Sequence, residues 1–383
     1  MIGLAGREWT KKLTTSSIQD MRELECVQQA LADAAGRGSS VLLVTVLSVE
    51  GSVYRGAGAR MVVTSDGETI GGVSGGCLEA DIAARAPDVI AEGHPRVIRY
   101  DTRASDDAVL GLGLGCQGMI DLLLEPLSGD GLAQAAAFYG RLAAQRGPVT
   151  LLTLVADEHT QLRIGARAVL DQSGQLIEGD SLLPDMRSNI ARELIRPAAD
   201  LVVCGGGADA VPLVRLAKLM GWKVTVVDHR AAFASQSRFP AADRVVCINA
   251  THDATPLQAS VTLDGQTIGV VMAHSAAHDR AYLHALLDAT VSYIGVLGPK
   301  RRTLELLGDR ATGGDIPASV HSPVGLDIGA ESPDEIALAV VAEIAAAIAG
   351  RAGGMLKERS GSIHDRGHVN VSAVETVRRE LSV

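Results

Sequence analysis

A chain of 383 residues, 47% of them hydrophobic and 21% charged, has the composition of a packed globular protein, and at ~150 residues per domain it holds two or three units. A net charge of −10 with no long basic run excludes nucleic acid and anionic membrane surfaces as expected partners, since both would be repelled. Five cysteines, an odd number without a C-x-x-C pair, argue against a disulfide framework and a zinc ribbon.

Taken in chain order, the first twenty residues lack the apolar core of a signal peptide, and no later run reaches the ~20 apolar residues of a membrane span. A cytoplasmic protein is expected. A helix covers about Ile18 to Arg37, VLLVTVLS (41–48) reads as a buried strand, and RMVVTSDGETIGG (60–72) as a hairpin turning at Asp66-Gly67. Leu78 to Ala91 has helical periodicity, RVIRY (96–100) and MIDLLLE (119–125) are strands, and Pro148 to Leu176 is β-rich. No internal repeat is evident. This first half is α+β.

Past Arg196-Pro197 short apolar strands alternate with helices: DLVVCGGG (200–207), KVTVVD (223–228), RVVCIN (244–249), TIGVVMA (267–273) and VSYIGVL (291–297). That alternation predicts a Rossmann-like, doubly wound parallel sheet. Ser332-Pro333-Asp334-Glu335 predicts a capping box opening a helix to about Ile348. The expected division is residues 1–190 as an N-terminal α+β domain, 191–350 as the Rossmann-like domain, and 351–383 as a polar, disordered tail.

Three glycine-rich segments carry the chemistry. Gly205-Gly206-Gly207-Ala208-Asp209-Ala210 fits G-x-G-x-x-A between a strand and a helix. Gly205, Gly207 and Ala210 there let backbone amides meet a diphosphate, and Asp228, ending the next strand, stands where a ribose hydroxyl binds. A Rossmann sheet with an empty site is the bland alternative. Gly113-Leu114-Gly115-Cys116-Gln117-Gly118 matches G-x-G-x-x-G by letter but leads into a strand, so it is no dinucleotide fingerprint. Gly72-Val73-Ser74-Gly75-Gly76 satisfies G-x-S-x-G, yet a hairpin precedes it and no acid–histidine pair follows, so a hydrolase elbow is rejected.

Cys77 follows Gly75 and Gly76 in the first turn of the predicted helix, where a helix N-terminus favours the thiolate while Glu79 opposes it. Cys77 and Cys116, both set among glycines, are the candidate metal-binding thiols. Cys26, Cys204 and Cys247 are read as small buried hydrophobes. His274, at the carboxyl end of strand 267–273, is a candidate cofactor contact, and Lys300 to Arg302 reach the same edge.

These stretches resemble the XdhC/CoxI family, the xanthine dehydrogenase accessory proteins that act as molybdenum-cofactor chaperones. The matching segments are GSVYRGAGARMVV (51–63), GGVSGGCLE (71–79), GLGLGCQG (111–118), Asp200 to Arg230, SYIGVLGPKRRT (292–303) and HSPVGLDIGAESPDEIA (321–337). Gln117 departs from the family's usual glycine. The resemblance implies a protein that binds molybdopterin-type cofactor, protects it and hands it to a xanthine dehydrogenase-like apoenzyme, working with a cysteine desulfurase or sulfurase; a homodimer stays open. Glycine loops would offer amides to the cofactor, and Cys77 and Cys116 would be soft donors to molybdenum. The expectation leans to an accessory protein rather than a catalyst. The alternative is an NAD(P)-dependent oxidoreductase, motivated by the fingerprint, with NAD(P) or another nucleotide at the Rossmann site.

Overall fold

The computed structural model describes residues 19–51, 54–76, 78–101, 118–156, 162–186, 189–248, 255–311, 314–360 and 375–376. It divides into two compact units, Met1–Pro197 with Gly361–Val383, and Ala198–Ser360.

The first unit runs α1 (Gln19–Gly36), β1 (Val41–Gly51), β2 (Arg60–Thr64), β3 (Thr69–Gly71), α2 (Glu79–Glu92), β4 (Arg96–Asp101), β5 (Gly118–Leu127), α3 (Gly129–Ala143), β6 (Val149–Leu154), β7 (Arg167–Leu170), β8 (Leu176–Gly179) and β9 (Ile190–Ile195). Its larger sheet has the order β4-β5-β1-β2-β3, with Glu375–Thr376 pairing parallel outside β4, and its smaller sheet the order β8-β7-β6-β9. The β2–β3 hairpin turns where expected, on Gly67 at φ 86°. Helix α2 buries Ile82, Ala86 and Val89 against Leu42, Val44 and Val46 of β1, so this face of the sheet is dry.

The structure overturns the expectation of no internal repeat. The order β5-β1-β2-β3 of one sheet is the order β9-β6-β7-β8 of the other, and each set begins with a helix, α1 or α3. The correspondence holds at single hydrogen bonds. The Gly58 N–H donates to Val46 O and the Gly165 N–H to Leu154 O; the Gly72 N–H donates to Arg60 O and the Asp180 N–H to Arg167 O. Gly71 (φ 81°) and Gly179 (φ 103°) each abut the preceding strand so closely that a Cβ would lie 2.5 and 2.2 Å from the carbonyl oxygens of Arg60 and Arg167. Gly-Ala-Arg occurs in both copies, at 58–60 and 165–167. The copies differ between their third and fourth strands. The first carries residues 72–117, with α2 and β4, whereas the second has a short connection with a 3-10 turn at Leu183–Asp185.

The two copies exchange ion pairs. Arg60 of the first binds Glu193 of the second through two bonds of 3.0 and 2.5 Å, and Arg167 of the second binds Glu125 of the first at 2.5 Å. Both guanidinium carbons lie 5.4 Å from the Tyr139 ring centre. Burial opposes the Arg60 charge, but Glu193 and Tyr139 outweigh it and its pKa is raised.

The second unit runs β10 (Asp200–Cys204), α4 (Ala210–Leu219), β11 (Lys223–Asp228), β12 (Arg244–Cys247), α5 (Thr255–Ser260), β13 (Thr267–Val271), α6 (Ala276–Asp288), β14 (Tyr293–Val296), α7 (Lys300–Leu307), β15 (Val320–His321) and α8 (Pro333–Ile348). All sheet pairs are parallel, in the order β12-β11-β10-β13-β14-β15. Counted from β10 that is the 3-2-1-4-5-6 order of a doubly wound dinucleotide fold. The fold class read from sequence, α+β followed by a Rossmann-like sheet, stands. Ser332 and Glu335 form the expected capping box, with Pro333 in the first turn. Cys204 is buried in β10, where burial pushes its thiol pKa up. Cys26 and Cys247 depart from the expectation: both are exposed, Cys26 on α1 and Cys247 at the end of the edge strand β12.

Candidate functional site

In the first unit the glycine loop after β3 is organised by Glu79. Its Oε1 accepts the N–H of Val73 at 3.0 Å and of Ser74 at 2.7 Å, and its Oε2 accepts the Gly76 N–H at 3.1 Å and the Ser74 hydroxyl. The Ser74 hydroxyl oxygen also accepts from Gly76 and Leu78. Burial works to raise the Glu79 pKa; the donors outweigh it and hold the carboxyl below its ordinary range. Two sequence readings change as a result. Helix α2 begins at Glu79 with Leu78 as N-cap, two residues later than a first turn at residue 77 predicts. The loop amides at 73, 74 and 76 also point at this carboxylate and not outward.

Gly76 adopts φ 107°, a conformation that favours glycine. A Cβ at Gly75 would touch the Tyr54 ring at 3.4 Å, and Tyr54 is 73% exposed. The candidates Cys77, Gly115 and Cys116 lie outside the described residues. Their neighbours in the chain are placed: Gly118 opens β5 directly opposite Gly51 of β1, three residues before Tyr54.

In the second unit the candidates Gly205, Gly207, Ala210, Asp228 and His274 gather at the carboxyl edge of the sheet, where the windings from β10 and β13 part. Open α/β sheets bind ligands at such a point. The three glycines differ in purpose. At Gly205 (φ 132°) a Cβ would lie 2.4 Å from the Met272 backbone, and at Gly206 one would lie 2.6 Å from Phe233 O, so both are required by internal packing. At Gly207 a Cβ would make only ordinary contact, 3.8 Å from the His274 ring. The Gly207 surface is therefore open, with His274 as its wall.

His274 is itself unusual, a non-glycine residue at φ 57° with its side chain 58% exposed. Its Nε2 stands 3.3 Å from Oδ2 of Asp209, the N-cap of α4. The loop under it is pinned by buried Asp279, which accepts the Ala273 N–H at 2.8 Å and pairs with Arg302 at 2.5 Å.

Asp228 holds the fingerprint position, and both its oxygens are engaged by its own chain. Oδ2 accepts the Gly206 N–H at 2.7 Å and the Arg230 guanidinium at 2.8 Å; Oδ1 accepts the Arg230 N–H at 2.8 Å and Nε–H at 2.9 Å. Burial would raise its pKa, but these bonds lower it to about 2. Arg230 in turn lies 3.8 Å over the Phe233 ring, and Arg238 donates to Gly206 O at 2.8 Å. A ribose hydroxyl reaching Asp228 must displace Arg230. Beside them His229 and His278 stack at 3.6 Å, and burial, then His229, lowers the His278 pKa.

Residues 201–344 match the family model described as the XdhC Rossmann domain, and residues 34–101 match that of the XdhC and CoxI family. The chain is 33% identical over 311 residues to a probable xanthine dehydrogenase subunit of Bacillus subtilis (strain 168), covering 79% of this chain and 92% of that protein. The chain belongs to the XdhC/CoxI family. A second relative is the molybdenum cofactor insertion chaperone PaoD of Escherichia coli (strain K12), 28% identical over 316 residues, covering 82% and 85% of the two chains. Among solved structures, a xanthine dehydrogenase from Bacillus halodurans superimposes with a TM-score of 0.73 at 30% identity, over 88% of this chain and 97% of that one.

Within this XdhC/CoxI chain, sequence reasoning missed the roles of Glu79, Asp209, Arg230 and Tyr54. The spacing Ser74-x-x-x-x-Glu79 is longer than a capping box, so it did not signal a carboxylate reaching back over the loop. Nothing in the sequence signalled that Arg230 folds back on Asp228. Among the described residues no group of three or more His, Cys, Asp or Glu side chains is arranged to hold a metal ion, and no helix is long and apolar enough to cross a membrane.

Proposed function

We propose that this chain binds a molybdopterin-type molybdenum cofactor, protects it, and delivers it to a xanthine dehydrogenase-type apoenzyme, with a cysteine desulfurase or sulfurase as a second partner. Membership of the family, with a relative named as a molybdenum cofactor insertion chaperone, supports the role. The observation that carries the site is local. The chain leading to Cys77 passes Gly75, against the exposed Tyr54 ring, and the chain leaving Cys116 enters β5 two residues later at Gly118, opposite Gly51. Gly75 and Gly118 thus both meet the stretch of chain at the end of β1, Gly118 by pairing with Gly51 and Gly75 by contact with Tyr54 three residues on.

The residues there suit such a group. Thiolates are soft donors matched to molybdenum, and an exposed tyrosine ring offers a flat face to a pterin. With the amides of Val73, Ser74 and Gly76 turned to Glu79, recognition falls to side chains rather than to a backbone cradle. The cofactor, when bound, supplies the redox-active metal; this chain's part is to hold and shield it.

The oxidoreductase alternative is weaker because Asp228 is already saturated by Arg230 and Gly206. The open Gly207 surface beside His274 remains suited to a phosphate-bearing ligand, and a nucleotide portion of the cofactor would fit it.

The test is retention. The protein, loaded with cofactor and passed through a desalting column, is denatured and oxidised, and pterin fluorescence and molybdenum are measured. Wild type should retain both, and Cys77→Ser and Cys116→Ser should stay folded while losing most of each. Wild type retaining neither would overturn the chaperone reading, and both variants retaining wild-type amounts would overturn the thiol site.

A further inference from the structure

The two copies in the first unit act as an internal control, because what both keep is needed for the fold and what one alone has is available for another purpose. Gly58, Gly67 and Gly71 have equivalents in Gly165, Gly174 and Gly179, with matching hydrogen bonds or left-handed φ values. They are architectural. Ser74, Gly75, Gly76 and Glu79 have none, since the second copy passes from Gly179 and Asp180 straight into the 3-10 turn at Leu183–Asp185.

We infer that Glu79 is a positioning residue, and that the loop it gathers is a functional addition to the first copy of a duplicated fold. This inference rests on the proposed cofactor-binding role. The physical case is the number and kind of donors. One carboxylate collects three backbone N–H groups and a hydroxyl from three residues, Val73, Ser74 and Gly76, while being fixed itself in the first turn of α2. Helix α2 is anchored to the sheet by Ile82, Ala86 and Val89. Glu79 therefore ties the loop from Val73 to Gly76 to a rigid element. The second copy passes from its third strand to its fourth through a short connection that holds no comparable carboxylate-gathered loop among the described residues.

The experiment uses the full chain with Glu79→Gln, which keeps the shape of the side chain and loses its charge. The amides of Val73, Ser74 and Gly76 should exchange with solvent roughly tenfold faster or more, since bonds to a charged acceptor are among the stronger ones, with the melting midpoint little changed. Retention of loaded molybdenum cofactor should fall at least about tenfold. If Glu79→Gln also lowers the global transition, Ser74→Ala, which removes the hydroxyl from the same cluster, is read for the same two quantities. Fast exchange with full retention would overturn the positioning role, and unchanged exchange would overturn the loop anchor itself. Wild type that retains no cofactor would overturn the chaperone reading alone, and amide exchange would still decide whether Glu79 organises the loop.

Discussion

Asp228 accepts hydrogen bonds from the Gly206 amide and from three N–H groups of Arg230, and this gives a pH dependence whose sign is fixed. Its folded pKa of about 2 lies below the ordinary 3.8, so the folded chain binds fewer protons than the unfolded chain between those values. The stabilisation is complete above about pH 4 and is lost as pH falls through about 2. Asp228→Asn should cost about 2–3 kcal/mol at neutral pH, since it leaves Arg230 without its carboxylate, and should flatten the fall in urea midpoint between pH 5 and 2. A variant with the same acid slope as wild type would show that the carboxylate is not held as described. The fingerprint around it was legible because Gly205, Gly206 and Asp228 follow from strand–loop–strand spacing. The Arg230 pair was not, because it depends on a side chain turning back across the end of β11. Glu79 was likewise visible as a residue near a helix start and invisible as the acceptor for a whole loop.

At the scale of elements, the parallel sheet was the easier half to read. Strands buried on both faces, such as DLVVC and TIGVV, appear as unbroken apolar runs between helices. The duplication in the first unit escaped reading because the copies share few letters, chiefly Gly-Ala-Arg and two further glycines, and most of their correspondence lies in hydrogen bonds and strand order. Its ion pairs were further hidden by distance along the chain, 133 residues for Arg60–Glu193 and 42 for Arg167–Glu125. Because the pairs are exchanged between copies, each ties one sheet to the other. Arg60→Ala should destabilise by about 3–5 kcal/mol, leaving the mostly buried Glu193 without its partner, whereas Arg60→Met with Glu193→Leu should cost clearly less than the two single changes added. Chemical denaturation of the four-member cycle measures this. Strict additivity would mean that the two side chains do not act as a pair.

At the scale of the whole molecule, the chain divides into two compact units, and we propose that their tasks divide with them. Strand β9 ends at Ile195 hydrogen-bonded to β6, and β10 begins at Asp200 in a different sheet. Among the described residues each sheet is complete within one unit. We therefore propose that residues 198–360 fold alone, because they contain all six parallel strands and a core built from Val202, Val227, Val271, Tyr282, Leu286 and Ile294. Expressed alone, this fragment should give a single cooperative thermal transition, and limited proteolysis of the full chain should cut first between Ile195 and Asp200. A fragment without a cooperative transition would show that the parallel sheet depends on the first unit for its stability. The folded fragment then separates the two candidate sites. It carries Gly207 and His274 but neither Cys77 nor Cys116, so it should bind a phosphate-bearing nucleotide while failing to retain molybdenum after desalting. Molybdenum retained by the fragment would move the metal-holding role out of the glycine loops and onto the carboxyl edge of the Rossmann sheet.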